Sequence, residues 1–448
     1  MKENKMGTMP VKQLIISMSL PMMISMLMQA LYSVVDSIFV SHLSEQALAA
    51  VTYAFPLQNM MIALGSGTGV GINALLSRSL GERRFDRSDA AANTGLLLTF
   101  CNALLFMVIG LFGSRAFIAT QTSLPEIQEM GATYLSIVCG FSFGLFFQMT
   151  FERLLQSTGL TVYSMASQLS GAIINTILDP IMIFGLLGCP RFGVAGAAYA
   201  TVIGQCLAAL IGLALNLKKN TEIHYSFRGI LSPKAETIGR IYYVGVPSIL
   251  MMSIGSVMTY GMNQILSIFS DTAVAVFGVY FKLQSFFFMP VFGLNNGVIP
   301  VLAYNYGARK KERIREALRF AMLVAVAIMG FGTLLFELIP ARLLGFFNAS
   351  EEMLQIGVPA LRIICLSYMM AGACIAMGSI FQAFSRSFYS LFVSIGRQLV
   401  ILLPAAWLLS RTGSVTMVWW AFPIAEMVSG ILSVIFFRKL YKEVVDPM

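Results

Sequence analysis

An acidic residue in the middle of an apolar stretch is the first feature of this sequence that points to chemistry. Residues 171–185 read GAIINTILDPIMIFG, and Asp179 follows Asn175 by one helical turn. On insertion scales, a carboxylate at the centre of an apolar span costs about 2.5–3.5 kcal/mol. Asp36 lies in a second apolar stretch, so this cost arises twice. Acids in such positions mark ion or proton pathways.

Helical geometry predicts that these acids lie at similar depths. At about 1.5 Å per residue, Asp36, Thr201 and Asp179 fall about 6, 10 and 14 Å below the outer ends of their predicted helices. Asn175 and Asp179 share one helix face because they are four residues apart. Their oxygens suit a monovalent cation or a shared proton. The alternative is that two separately hydrogen-bonded acids only hold helices together. A polar stripe on the first predicted helix adds to the set: Gln29, Tyr32 and Asp36.

The composition decides the class of protein that must position these residues. The chain has 448 residues, of which 57% are hydrophobic and 11% charged, whereas a soluble domain has about 25% charged residues. This predicts an all-α polytopic membrane protein. The net charge of +9 lies in short loops between apolar stretches, which is typical of membrane topology and not of a nucleic-acid surface. The six cysteines have no metal-ligand spacing.

Apolar runs of membrane-spanning length predict about twelve helices. The loops richest in lysine and arginine all fall on one side of an alternating arrangement, so that side and both termini are expected to be cytoplasmic. We expect a multi-pass membrane protein. The predicted helices lie near residues 14–40, 48–75, 93–117, 131–157, 164–188, 194–216, 241–269, 274–303, 319–345, 355–381, 388–410 and 415–437.

The chain repeats itself with a constant offset. Pro21 matches Pro247 and Tyr163 matches Tyr389, and both pairs differ by 226 (247 minus 21, 389 minus 163). Two six-helix lobes related by a parallel pseudo-twofold repeat are therefore predicted. We expect an amino-terminal lobe at 1–215, a cytoplasmic linker at 216–240 and a carboxy-terminal lobe at 241–448. Two like lobes are typical of an alternating-access transporter, with the substrate path between them.

The repeat also shows which polar residues belong to one half alone. At the same offset, the matches of Asp36, Asn175, Asp179 and Thr201 are apolar: Met262, Ile401, Ala405 and Met427. A residue needed for the shared fold should recur in both halves, whereas a coupling residue need occur only once. The amino-terminal lobe is thus predicted to carry the cation-coupling site.

Three further charged residues lie within predicted spans. Arg397 and Glu426 fall at about 14 and 17 Å from the inner face on adjacent helices, so we expect a structural ion pair, with a role in coupling as the alternative. Lys282 lies about 12 Å into the eighth helix, where it either tunes the charge of a cavity or extends outward to the interface. The segment GSGTGVG at 65–71 lies within an apolar helix, which favours close helix packing over phosphate binding.

The combined motifs resemble the multidrug and toxic compound extrusion (MATE) family of bacterial efflux transporters. The matching segments are SLPMMISMLMQALYSVVDSIFVSHL, GAIINTILDPIMIFG, GVAGAAYATVIGQ and GVIPVLAYNYGA, and the resemblance covers almost the whole chain. It implies that Asp36, Asn175, Asp179 and Thr201 form the cation site of the amino-terminal lobe. It further implies that Gln29 and Tyr32 line the same cavity. Helices 7, 8 and 10 lack the acids that some members carry there, so coupling is expected to rest on the amino-terminal lobe.

The expected function is secondary active efflux of lipophilic organic cations by a monomer, in antiport with protons or sodium. No cofactor is expected besides the coupling ion, and no enzymatic activity, because no nucleophile–base pair or metal cluster falls within the spans. A lipid-linked saccharide flippase is the nearest alternative, but it would need more intramembrane arginines. A channel or ligand sensor is a further alternative, which the lack of an evident continuous polar pore disfavours.

Overall fold

The structure is a computed structural model that describes residues 3–347 and 349–448, without the side chains of Ser41, Glu45 and Asp271. The described residues form helices and no strand. Eleven helices are long and apolar enough to cross a membrane, and a bent pair makes a twelfth. The predicted all-α class and helix number are therefore confirmed.

We number the spanning helices α1 to α12 in chain order. The first six contain no break except in α4, where two segments meet at a bend of 45°. The sequence predicted one helix at 131–157, but the chain turns at Phe141 and Ser142 instead. The bounds are α1 Val11–Ser41, α2 Glu45–Gly81, α3 Phe85–Ala119, α4 Pro125–Gly140 with Phe143–Ser157, α5 Thr161–Phe184 and α6 Val194–Lys219.

The last three of the remaining helices are less regular. A 3₁₀ turn at Cys365–Ser367 interrupts α10, and a π-helical segment at Gly396–Leu402 interrupts α11 just before Pro404. Short helices also occur at Lys5–Thr8, Phe227–Leu231 and Pro340–Gly345. The bounds are α7 Ala235–Ser267, α8 Asp271–Gly307, α9 Lys311–Leu338, α10 Glu351–Ala383, α11 Ser387–Ser410 and α12 Val415–Leu440 with a π-helical end at Tyr441–Val445.

Helix caps and turns repeat at the same offset as the sequence. The Oγ atom of Ser44 accepts a hydrogen bond from the amide of Ala47 at 3.0 Å, and Ser270 does the same with Ala273 at 3.1 Å. Such caps satisfy amides at the helix start that have no helical partner. The turns that follow α2 and α8 also match: Arg83 has φ of 57° and Arg309 has φ of 54°. The halves therefore share local structure that neither hydropathy nor helix length requires.

The chain divides into two compact units whose bounds differ from the predicted lobes 1–215 and 241–448. One unit comprises Glu3–Met23 with Leu250–Met448, and the other comprises Ile24–Ile249. The division falls inside α1 and α7, two residues after Pro21 and Pro247, and it too follows the repeat (250 minus 24 is 226). Prolines inside a helix remove a backbone hydrogen bond and allow a change of direction.

Close contacts at glycines explain to which unit the first parts of α1 and α7 belong. In the unit Ile24–Ile249, a Cβ atom at Gly71 would meet the carbonyl of Ile241, and one at Gly67 would meet Ile249. In the other unit, a Cβ atom at Gly297 would lie 2.6 Å from the Cα of Ser19. Small residues four apart let two helix backbones touch. The predicted packing role of the glycine-rich segment is confirmed.

The amino-terminal segment is fixed by buried polar contacts within its own unit. The amide of Asn305 donates to the carbonyl of Met6 at 3.0 Å, and Nη2 of Arg313 donates to the carbonyls of Met6 and Met9 at 2.9 and 2.8 Å. Met6 is fully buried. These bonds satisfy carbonyl groups at the end of the short helix Lys5–Thr8 that have no helical partner.

Substitution of the packing glycines should destabilise the protein. We expect Gly71→Ala and Gly297→Ala each to lower stability by about 1–3 kcal/mol or more, because the added methyl group meets backbone that cannot move aside easily. The measurement is the midpoint of thermal unfolding in detergent. Gly239→Ala and Gly278→Ala are matched controls, since a Cβ atom there meets nothing within 4 Å. If the variants at Gly71 and Gly297 unfold at the same midpoint as the two controls, the close contacts do not stabilise the fold.

Candidate functional site

Close packing of α5 on α6 positions the polar residues of the candidate site. A Cβ atom at Gly204 would lie 2.8 Å from the carbonyl oxygen of Gly171 and 3.0 Å from the Cβ of Asn175. The two helix backbones therefore touch, and the side chains beside the glycines face each other at short range. Asp179 is fully buried on this surface, and Asn175 and Thr201 are each 4% exposed.

The amide of Asn175 connects the residues of α1, α5 and α6. With its nitrogen toward Asp179, it donates to the two carboxylate oxygens at 3.1 and 3.2 Å, and its oxygen accepts from the hydroxyl of Tyr32. Turned by half a rotation, it donates to Tyr32 and, at 3.4 Å, to Thr201, while its oxygen faces the carboxyl group. Because a carboxylate only accepts, the second arrangement suits a protonated Asp179.

The carboxyl groups of Asp36 and Asp179 lie within hydrogen-bonding reach of each other. Both groups are acceptors when ionised, so a hydrogen bond between them requires a proton on one of them. The Oδ1 atom of Asp36 is shielded from solvent and accepts no hydrogen bond from the described residues. The pair therefore offers an acceptor position for a second proton or a small cation. Among the described residues, no group of three or more His, Cys, Asp and Glu side chains is suited to hold a metal ion.

Two residues near this pair were absent from the predicted site. Tyr134 of α4 is 3% exposed; its hydroxyl hydrogen-bonds to Gln58 and lies close enough to Asp36 and Asp179 to interact electrostatically with both. The repeat contained a signal for Tyr134, because its match at the same offset is Ala360. No similar signal existed for Gln58, whose match is also glutamine, Gln284.

The remaining predicted residues of α1 continue the polar stripe. Tyr32 also hydrogen-bonds to Thr201 through its side chain, and the hydroxyl of Thr201 donates to the carbonyl of Ala197 at 3.0 Å. Gln29 accepts from the amide of Gln168 on α5 at 3.1 Å. The structure thus brings together five of the six predicted residues of the amino-terminal half: Tyr32, Asp36, Asn175, Asp179 and Thr201. Gln29 contacts Gln168 and has no recorded contact with the other five.

The predicted charged residues of the other half are Lys282, Arg397 and Glu426. They lie in the other unit, within Leu250–Met448. Arg397 Nη1 lies 3.6 Å from Glu426 Oε2, with side-chain exposures of 27% and 10%, so the expected contact is present. Its structural role, as opposed to a role in coupling, stays a prediction. Lys282 is exposed and has no ion pair among the described side chains. Both alternatives for Lys282 stay predictions.

Comparison with known proteins decides the family. The model of the MatE family matches residues 21–181 and again residues 247–408. The chain belongs to the MatE family. The two matches begin 226 residues apart (247 minus 21), as the internal repeat does. MatE proteins are transporters, so this is a multi-pass membrane transporter of that family, and the resemblance seen in the sequence is confirmed.

Relatives of this MatE protein match it over nearly their whole length. A FAD transporter of Shewanella oneidensis is 27% identical over 435 residues, which cover 94% of this chain and 93% of the relative. The multidrug export protein MepA of Staphylococcus aureus is 23% identical over 427 residues, covering 95% and 93%. A solved outward-facing conformation of a multidrug resistance MATE family transporter of the MOP superfamily superposes with a TM-score of 0.93 at 26% identity, covering 100% and 99%.

Removing the hydroxyl of Tyr32 should weaken the site by leaving a buried polar atom of Asn175 without a partner. We expect Tyr32→Phe to lower stability by about 1–3 kcal/mol, the usual penalty for such an atom. The thermal unfolding midpoint in detergent is the measurement, and Tyr260→Phe is the control because Tyr260 is 68% exposed. An unchanged midpoint for Tyr32→Phe would contradict the hydrogen bond between α1 and α5.

Proposed function

We propose that this MatE protein is a secondary active exporter that couples efflux of lipophilic organic cations to entry of protons or sodium. The observation that carries the proposal is the Asp36–Asp179 pair, whose carboxyl groups lie within hydrogen-bonding reach of each other and of which Asp179 is fully buried. The apolar residues at the matching positions of the second half support a role other than folding. The names of the MepA relative and of the outward-facing multidrug transporter support drug efflux.

Coupling follows from competition for the same carboxyl groups. With fewer protons on the pair, its negative charge favours an organic cation nearby. A second proton, or a sodium ion at the open acceptor of Asp36, removes that charge and disfavours the bound cation. A transporter that alternates between inward-facing and outward-facing states then exchanges one for the other, because each ligand shifts the balance between the states.

The Asn175 amide gives this cycle a local switch. It donates to Asp179 when that carboxyl group is ionised, and it turns toward Tyr32 and Thr201 when Asp179 is protonated. The bond to Tyr32 of α1 is kept in both arrangements, with its direction reversed. Protonation of Asp179 would therefore exchange the bonds of Asn175 to that carboxylate for a bond to Thr201 of α6. Gln29 and Tyr32 would line the path of the substrate beside this switch.

The chemistry of the site favours a cation over the second candidate cargo, a flavin dinucleotide. The name of the Shewanella oneidensis relative supports the flavin alternative. A dinucleotide carries a negatively charged pyrophosphate, which the buried carboxyl pair repels. Of the three predicted cavity residues Gln29, Tyr32 and Lys282, Lys282 has the positive charge that would suit that cargo. We further propose that the protein works as a monomer in the bacterial plasma membrane, with both termini cytoplasmic and with no cofactor other than the coupling ion.

Transport by purified protein in vesicles tests the proposal. Ethidium uptake should follow an imposed proton gradient or an imposed sodium gradient, and the gradient that works identifies the coupling ion. Asp36→Asn and Asp179→Asn should each reduce gradient-driven uptake at least tenfold, which corresponds to about 1.4 kcal/mol. Exchange of ethidium across the membrane without a gradient should persist in both variants, because it does not require ion coupling.

Asp86→Asn is the matched control, since Asp86 undergoes the same chemical change in the exposed first turn of α3. Gradient-driven uptake that survives in both site variants would remove the carboxyl pair from coupling. Uptake of FAD in place of ethidium would support the flavin alternative. Ethidium flux that needs no gradient and no exchange partner would indicate a channel.

A further inference from the structure

A basic cavity lies apart from the carboxyl cluster, in the unit that contains Leu250–Met448. It has a volume of about 600 Å³ and is lined by the first turns of α9 and the last turns of α12. This is the side of the membrane that the sequence predicts to be cytoplasmic. Five of its lining residues are cationic: Arg315, Arg319, Arg438, Lys439 and Lys442.

The positive charge of the cavity is almost unbalanced. Arg315 lies 4.0 Å from Glu312, but their side chains are 46% and 80% exposed, where an ion pair contributes little. The other four cationic residues have no ion pair among the described side chains. Like charges held this close repel one another unless an anion is present. The cavity is therefore suited to a ligand with at least one negative charge.

The rest of the lining is apolar or aromatic. Leu318, Met322 and Phe437 contribute apolar surface, and the rings of Phe437 and Tyr441 pack with centroids 5.8 Å apart. The hydroxyl of Tyr441 is shielded from solvent and has no hydrogen-bond partner among the described residues. A buried hydroxyl without a partner is unfavourable, and an acceptor bound in the cavity would supply one once nearby side chains adjust.

The internal repeat supplies a control for this surface. The first half has Asp89, Asn93 and Asn216 where the second half has Arg315, Arg319 and Lys442. The chain itself covers the first set: the Oδ1 atoms accept from the His224 amide at 2.9 Å, the Ser226 amide at 3.1 Å and the Tyr225 hydroxyl at 3.1 Å. Burial, and next the charge of Asp89, raise the pKa of Tyr225, which keeps its hydroxyl a donor.

The same fold position is therefore covered by a polar linker in one half and is open and cationic in the other. The described residues of the second half include no segment over the cavity comparable to residues 220–231. The change from acidic and amide side chains to arginine and lysine reverses the charge that an occupant must carry.

We propose that this cavity binds the headgroup of an anionic phospholipid from the inner leaflet. Basic pockets between spanning helices on the cytoplasmic side bind such headgroups, and arginine binds phosphate through paired hydrogen bonds. The acyl chains would lie along exposed apolar residues of the same helices, Leu323 on α9 and Ile431 and Ile435 on α12. A soluble phosphate compound would have no use for that apolar surface.

Native mass spectrometry of delipidated full-length protein tests the proposal, with dioleoylphosphatidylglycerol as the probe. The lipid should bind at least tenfold more tightly than dioleoylphosphatidylcholine, which has the same chains and no net charge. Arg319→Gln combined with Arg438→Gln should weaken binding about thirtyfold, which equals about 2 kcal/mol and matches about 1 kcal/mol for each basic side chain near an anionic surface. Inorganic phosphate should not displace the lipid.

Lys218→Gln combined with Arg228→Gln is the matched control, because it removes two exposed positive charges from the same predicted side. Equal lipid affinity in the two double variants overturns the proposal, as does equal affinity for the two lipids. Displacement by inorganic phosphate also overturns it and indicates a soluble anion. If the first double variant unfolds, Tyr441→Phe should still weaken the lipid about fivefold, and no change there overturns the proposal.

Discussion

Contact between helix backbones at glycines is the constraint on which the rest of this structure depends. In a bilayer, apolar side chains gain little from meeting each other, because lipid tails are equally apolar. Close van der Waals packing must therefore hold the helices together. Gly67 and Gly71 allow it for α2 on α7, and Gly293 and Gly297 allow it for α8 on α1. These contacts decide to which compact unit the first parts of α1 and α7 belong.

The carboxyl cluster depends on the same kind of contact. Gly171 and Gly204 bring α5 against α6, so that the amide of Asn175 reaches the polar groups of three helices. A buried acid remains tolerable when its neighbours supply donors at fixed positions. The pairing of Asp36 with Asp179 also needs a proton between the two carboxyl groups, because both only accept when they are ionised. In the function that we propose, this proton is the ion that exchanges with the cargo.

Much of this arrangement could be predicted from the sequence, because hydropathy, the repeat and helical periodicity are local signals. Hydropathy and residue type predicted the helix number and the glycine packing. Helical spacing predicted the meeting of Asp179 with Asn175 and the Arg397–Glu426 contact. The division of α1 and α7 between units did not, since an apolar helix carries no mark of the partner it will pack against. The bend of α4 at Phe141 was not predicted either, because no proline or charged residue marks it. The basic cavity was not predicted, because arginines and lysines at the ends of spanning helices also follow from membrane topology, and their spacing does not show which of them meet.

The division of α1 has a consequence for biosynthesis. Residues 3–23 are synthesised before Ile24–Ile249, whereas their packing partners Gly293, Gly297 and Asn305 follow that whole unit in the chain. Domains usually fold in order of synthesis, and the continuous unit Ile24–Ile249 can do so. The other unit joins Glu3–Met23 to Leu250–Met448 and cannot complete its core until the later segment is made. The first part of α1 therefore cannot complete its packing until α8 has been made and inserted. Helix order in the polypeptide and order of assembly are therefore different.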